Sequence, residues 1–272
     1  MDPSTQRPRR PEQTEQPEQT EQPEQTEQPE QIDRPRRSGE SGQPDSSERT
    51  RPTAGSRQPG ALFAFLAWTA RLREVERHNN ATPDRRESVA EHSWHLAMVC
   101  WALHTEFERE AGAGLDLSRM LKLCLMHDLV EIDAGDPSAW HTADGAGAAD
   151  AAAAKAHREE AVARERFGAL PEPLRSELLE LWREYEDGAT PEALLVRGVD
   201  RLNPALMRLL TGQGWSDVGA DAAALDRLQL PRVGVSGTLT ALYEEVRDAA
   251  VARGLLAPGD GGTVNASRTP RR

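Results

Sequence analysis

The stretch LMHDLVEIDAGD, Leu125 to Asp136, joins an apolar run to a histidine, four carboxylates and a glycine-containing turn. His127 and Asp128 are adjacent, about 100° apart around a helix axis, and both can reach one ion lying beside it. Imidazole plus carboxylate is a mixed donor set that suits Zn, Mn, Co or Fe better than Ca. Two donors do not make a tight site, so others must come from elsewhere in the chain. His92, in RRESVAEHSWH, is one candidate. His95 lies three residues on, and one of the two can serve as ligand while the other is structural. Asp200, in LLVRGVDRLNPAL, is another candidate. An acid inside an apolar helix needs a metal, hydrogen bonds or a salt bridge. Arg197 and Arg201 offer the salt bridge, so spacing alone leaves Asp200 open between ligand and ion pair.

The elements that must hold these residues read as helices. ALFAFLAWTARLREVER carries apolar residues at helical spacing from Leu62 to Val75. SVAEHSWHLAMVCWALHTEFERE opens with Ser88 and Glu91 at capping-box spacing. LDLSRMLKLCLMHDLVEI reads as one helix, with Asp116 as its N-cap. A loop from Asp133 to about Ala149 follows, then an Ala-rich helix, AADAAAAKAHREEAVARERFG. PEPLRSELLELWREYED is another helix, entered at a proline. Thr190-Pro191-Glu192 places an N-cap and a first-turn proline before a helix through Leu210. A last helix covers roughly Ser236 to Ala252. No alternating strand pattern of useful length is present. The fold class is all-α, with six or more helices. Trp68, Trp94, Trp101, Trp182 and Trp215 fall at helix-packing positions.

Composition bounds the rest. Up to residue 58 the only aliphatic side chains are Met1, Ile32 and Ala54, and the unit PEQTEQ repeats from Pro11, Pro17 and Pro23. Such a segment cannot bury enough surface to offset the entropy of ordering. A disordered low-complexity tail over 1–58, a folded domain over 59–255 and a flexible tail over 256–272 are expected. The first 58 residues hold 12 acids and 9 bases, which leaves −9 of the formal net charge of −12 on the rest. An acidic body argues against a partner that is a nucleic acid polymer. Cys100 and Cys124 belong to no CxxC pair and read as buried free thiols. Neither a signal-type segment nor an 18-residue apolar run occurs, so a cytoplasmic protein without a membrane partner is expected.

A histidine, then His–Asp, then a distant Asp in one all-α chain resembles the HD-domain metal-dependent phosphohydrolases. RRESVAEHSWH, LMHDLVEIDAGD, HREEAVARERFGALPEPLRSELLELWREYED and the VDRL around Asp200 look like the branch containing 5′-deoxynucleotidases. The resemblance spans about Leu62 to Gly214. It implies one divalent metal ion (Mn, Co, Zn, Mg or Fe) on His92, His127, Asp128 and Asp200. It implies Arg77 on the substrate phosphate, Glu87 in support, Glu131 one turn beyond the His–Asp pair and Asp136 after the turn. Glu131 lies at i+4 from His127 and i+3 from Asp128, on the metal-facing side of a continuous helix. It is the candidate for orienting or deprotonating a water. Asp136 is the candidate for protonating the leaving 5′-oxygen or holding the nucleotide. No role is implied for Asp133, and His95 reads as a support for the ligands.

The implied reaction is removal of the 5′-phosphate from a (deoxy)nucleoside monophosphate, by an enzyme commonly dimeric. Position 78 departs from the pattern. His78 stands where a tryptophan helps exclude the 2′-hydroxyl, which opens the choice between ribose and deoxyribose. Trp140, beyond Asp136, either covers the substrate pocket or packs within its own loop. Three other readings stay in view. One is a specialised nucleotide-like substrate. Another is a two-iron oxygenase using His141 and His157. The last is a non-catalytic binding module.

Overall fold

The computed structural model describes residues 58–112, 114–136 and 148–259. Most of residues 1–58, Trp140, His141 and residues 260–272 lie outside them. The helices are α1 (Gln58–Thr69), α2 (Val89–Ala111), α3 (Leu117–Met126), α4 (Glu131–Ala134) and α5 (Ala148–Gly168). They continue with α6 (Leu174–Asp187), α7 (Pro191–Thr211), α8 (Ala222–Val233) and α9 (Gly237–Ala252). The all-α class is therefore as expected. All of these fall in one compact unit, residues 51–272.

Local signals placed most helix starts. Ser88 and Glu91 form the full capping box of α2, and Asp116, Thr190 and Ser236 accept the N-cap hydrogen bonds of α3, α7 and α9. Each oxygen satisfies an amide that the helix itself cannot. α2, α3 and α7 pack on one another, and α8 and α9 close against α7. Leu96, Cys100, Leu123, Cys124, Val196 and Val199 are fully buried where the first three meet. Burying each of the leucines and valines contributes roughly 1.5–3 kcal/mol. Past residue 255, Leu256 is buried and the Ala257 carbonyl accepts from Ala222 N at 2.9 Å.

Three expectations need correction. The segment after the first helix is a β-hairpin. A 3-10 turn, Ala70–Glu74, follows α1, and then β1 (Glu76–Thr82) pairs antiparallel with β2 (Arg85–Ser88). Its seven-residue first strand carries almost no apolar side chains, so alternation could not reveal it. Pro83 and Asp84 make the turn. The helix through LMHDLVEI is also interrupted. It ends at Met126, and α4 begins only at Glu131. Between them the Leu129 and Glu131 amides bond back three residues, to Met126 and Asp128, so the backbone tightens at the His–Asp pair. Finally, Trp94 and Trp101 are 62% and 59% exposed. α2 turns Val89, His92, Leu96 and Cys100 inward, which leaves Trp94, Met98 and Trp101 on its outer side.

Candidate metal centre and substrate cavity

Three elements bring the four expected ligands together. The capping box starts α2 at Val89 and so sets His92 in its first turn. The tightened segment after α3 turns His127 and Asp128 inward, and the middle of α7 supplies Asp200. Donor atoms of His92, His127 and Asp128 all lie within 4.8 Å of one another. His127 Nε2 is 3.1 Å from Asp128 Oδ2, and His92 Nε2 is 3.9 Å from it. Asp200 Oδ1 is 3.0 Å from His92 Nε2 and 3.8 Å from His127 Nε2.

The donors fit a divalent ion on two observations. Atoms held about 2.0–2.2 Å from one centre stand roughly 3–3.5 Å from each other, and the separations here, 3.0 to 3.9 Å, need only small adjustments to reach that. The protonation of His127 also suits a ligand. Its Nδ1 lies 2.9 Å from the Cys124 carbonyl, which can only accept, so Nδ1 carries the proton. Nε2 is the nitrogen left facing the cluster, buried without a hydrogen-bond partner, and is the atom that would hold an ion.

The hairpin delivers a guanidinium to this cluster. Arg77 Nη1 donates to Asp128 Oδ2 at 2.9 Å, and Arg77 Nε stands 3.8 Å from Glu87 Oε2. Arg77, His78, Glu131 and Asp136 line one cavity of about 310 Å³ with His127, Asp128 and Asp200.

The comparisons agree with this geometry. The family model described as the HD domain matches residues 69–230. The chain belongs to the HD-domain family. The 5′-deoxynucleotidase HDDC2 of Mus musculus is 32% identical over 152 residues, covering 54% of this chain and 68% of that protein. The human protein of the same name is 31% identical over 145 residues, covering 52% of this chain and 63% of its own length. A crystal structure from Magnetospirillum magnetotacticum, described as a predicted metal-dependent phosphohydrolase, superposes with a TM-score of 0.62 at 35% identity. It covers 74% of this chain and 99% of that one. The chain is thus an HD-domain metal-dependent phosphohydrolase of the phosphomonoester class, in the branch that resembles the 5′-deoxynucleotidases.

Electrostatics separate the carboxylates of this HD domain. Burial opposes charge on Asp128, but His127 and Arg77 outweigh it and bring its pKa down to about 2. Burial likewise works against Asp200, yet the neighbouring His127 and His92 imidazoles hold it well below the ordinary range. Burial and the Arg77 charge bring His92 down to about 4. Glu131 goes the other way. Burial, then Asp128 and Asp136, push it well above the usual carboxylate range, and its Oε2 is buried without a partner. Asp136 is raised by burial, with Asp128 adding to the effect. Burial also lifts Glu87 to about 7 against the pull of Arg77. The cavity therefore holds two carboxylates of the donor cluster kept ionised, Asp128 and Asp200, beside two acids that retain protons more readily.

Three residues at the site escaped the sequence reading. Tyr185 donates its hydroxyl to Asp200 Oδ2 at 3.1 Å, and its ring lies 4.9 Å from that of His127. The apolar period of α6 through Leu178, Leu181 and Trp182 signals a tyrosine facing inward whose hydroxyl needs a partner. Lys155, from α5, lines the cavity with Nζ 3.9 Å from Glu131 Oε1 and pairs with Glu159. Nothing local marks it among the alanines. Asn203 bonds His92 Nδ1 at 3.1 Å and His95 Nδ1 at 2.6 Å, so His95 reaches the ligand set through an amide. Its spacing of three from Asp200 on α7 was the available signal.

The remaining candidates divide. His78 lines the cavity, and its Nε2 is 3.1 Å from Asp217 Oδ2. Asp133 faces away from the cluster. It accepts from Trp68 Nε1 at 3.0 Å and Arg166 Nε at 2.7 Å, with Arg71 Nη1 at 3.4 Å. It thereby ties α4 to α1, the following turn and α5. His157 is exposed on α5 and is not part of the cavity lining. No helix among the described residues is long and apolar enough to cross a membrane.

Proposed function

We propose that this HD domain removes the 5′-phosphate from nucleoside monophosphates, deoxynucleotides among them, with one divalent ion held by His92, His127, Asp128 and Asp200. The observation that carries this reading is the convergence of that donor set, Arg77, Glu131 and Asp136 around one cavity. When bound, the ion supplies Lewis acidity toward a phosphoryl oxygen and makes a water more acidic. Arg77 offers forked donors to the remaining phosphate oxygens. Its present bond to Asp128 keeps that fork aimed at the cluster.

Glu131, with one unpartnered oxygen, positions the attacking water and takes its proton as the P–O bond to water forms. The bond to the 5′-oxygen breaks, and Asp136 returns a proton to that oxygen. A raised carboxyl pKa suits both tasks near neutral pH. His78 contacts the sugar, and Trp140 is carried as a further substrate contact. Trp94, Met98 and Trp101 form an exposed apolar stripe on α2 that suits a homodimer interface, which light scattering on the purified chain tests.

The deciding experiment is phosphate release from a panel of ribo- and deoxynucleoside 5′-monophosphates with Mn, Co, Mg and Zn. Release from at least one member, abolished by chelation, is expected. No release from any member, with metal bound, sinks the nucleotidase reading in favour of a specialised substrate.

A further inference from the structure

One wall of the cavity is cationic beyond what a single phosphate requires. α7 presents Arg197 and Arg201, four residues apart and so on one side of the helix. The last turn of α8 adds Arg232. Gly198 makes this juxtaposition possible. A Cβ there would lie 2.7 Å from Leu239 Cδ1 and 3.3 Å from the Arg232 carbonyl. Without it, the end of α8 comes flush against α7 between the two arginines.

Among the described residues these guanidiniums have no carboxylate within ion-pair distance, although Glu186 and Asp200 line the same cavity. Arg197 donates only to the backbone carbonyls of Tyr185 and Glu186, and lies 5.5 Å from the Tyr185 ring centre. Those contacts fix its direction and leave its charge. Arg201 Nε is buried without a hydrogen-bond partner. Burial and then the charges of Arg197 and Arg201 lower the pKa of Arg232, as mutual repulsion requires. Gln229, on the same wall, has a buried Oε1 without a partner. Three adjacent unpaired arginines are not background in a chain of formal charge −12.

We propose that the α7–α8 wall is a second anion subsite, and that the preferred substrate is a phosphomonoester carrying a further phosphate or carboxylate away from the phosphate cleaved. This rests on the nucleotidase reading, in which Arg77 serves the scissile phosphate. Arg197, Arg201 and Arg232 then supply forked donors to the second anion, where charge-assisted bonds are strongest.

The test compares matched substrates on the full, metal-loaded chain. Adenosine 3′,5′-bisphosphate is set against adenosine 5′-monophosphate, and orotidine 5′-monophosphate against uridine 5′-monophosphate. The first pair reads a second phosphate and the second pair a carboxylate. In at least one pair, kcat/KM for 5′-phosphate release is expected to favour the doubly anionic member about tenfold or more. Arg201→Gln and Arg232→Gln are expected to collapse that ratio toward one. A ratio near one in the unmodified protein, or a ratio indifferent to both substitutions, overturns the proposal. Arg232 is exposed, so its substitution leaves the core intact. Thermal shifts with the same ligands separate the two readings. If no phosphate is released from any substrate, the nucleotidase reading fails. Arg232-dependent stabilisation by the bisphosphate over the monophosphate would then still support the subsite, and equal shifts would remove it.

Discussion

Asp128 and Asp133 leave the same short segment five residues apart, and they do opposite work. Asp128 turns inward among His127, His92 and Arg77, where it is largely buried and its pKa falls to about 2. Asp133 turns outward to Trp68, Arg71 and Arg166, none of which lines the cavity, and so braces α4 against its neighbours. Residue type does not distinguish them. Partner type does, because imidazole nitrogens with free lone pairs can share an ion with a carboxylate, whereas guanidinium and indole can only donate to it. Glu131 stands between the two cases, buried toward the cavity yet poor in partners.

The contrast is broken most sharply at Asp128. Asp128→Ala is expected to lose metal below a tenth of an ion per chain by elemental analysis, and phosphatase activity by about 10³-fold or more. Stoichiometric metal in that variant would remove Asp128 from the ligand set. Glu131→Gln should keep its metal while kcat falls roughly 10²–10⁴-fold. Near-normal turnover with metal retained would return Glu131 to the bracing acids. Chelation should abolish activity reversibly and lower the melting temperature, since metal at 100 times its Kd stabilises by about 2.7 kcal/mol. An unchanged melting curve would mean the four donors hold no ion.

On the outward side the effects are smaller and concern stability. Asp133→Ala is expected to cost about 1–3 kcal/mol in denaturant unfolding, with metal content and kcat/KM within a few-fold of the parent. A collapse of activity in a folded Asp133 variant would erase the distinction drawn here. The smallest effect sits at the start of α2. Ser88→Ala should cost about 1 kcal/mol. Glu91, held at about 2 by its bonds to Arg85 and then Ser88, has its pKa depressed by folding. Its contribution is present above its ordinary pKa of 4.5 and is lost as pH falls toward 2. Glu91→Gln should flatten the acid limb of the stability profile in that window.

What could be read in advance followed the range of the interactions. The caps at Ser88, Asp116, Thr190 and Ser236 were legible because each oxygen meets an amide three residues away. The His–Asp pair, His92 and Asp200 were legible through resemblance, and their spacing alone left a surface ion pair open for Asp200. The hairpin bearing Arg77 was not legible. Its strands are polar, and their pairing depends on the Asn79 and Asn80 contacts to Arg208 and Gln213, more than a hundred residues away. The break at Met126 was missed for a related reason. The local pattern is helical throughout, and only burial of His127 against Cys124, Tyr185 and Asp200 rewards the tighter turn.

By itself, the sequence determined an all-α class, most helix starts and the residue types able to hold a metal. These depend on contacts within a turn or two, or on side-chain chemistry that no fold alters. The tertiary structure decided which acid joins the donor cluster and which braces the helices, that Lys155, Tyr185 and Asn203 reach the site, and that three arginines share one wall. Burial and long-range proximity set each of those outcomes, because a charge acquires its role from the partners that desolvation leaves it.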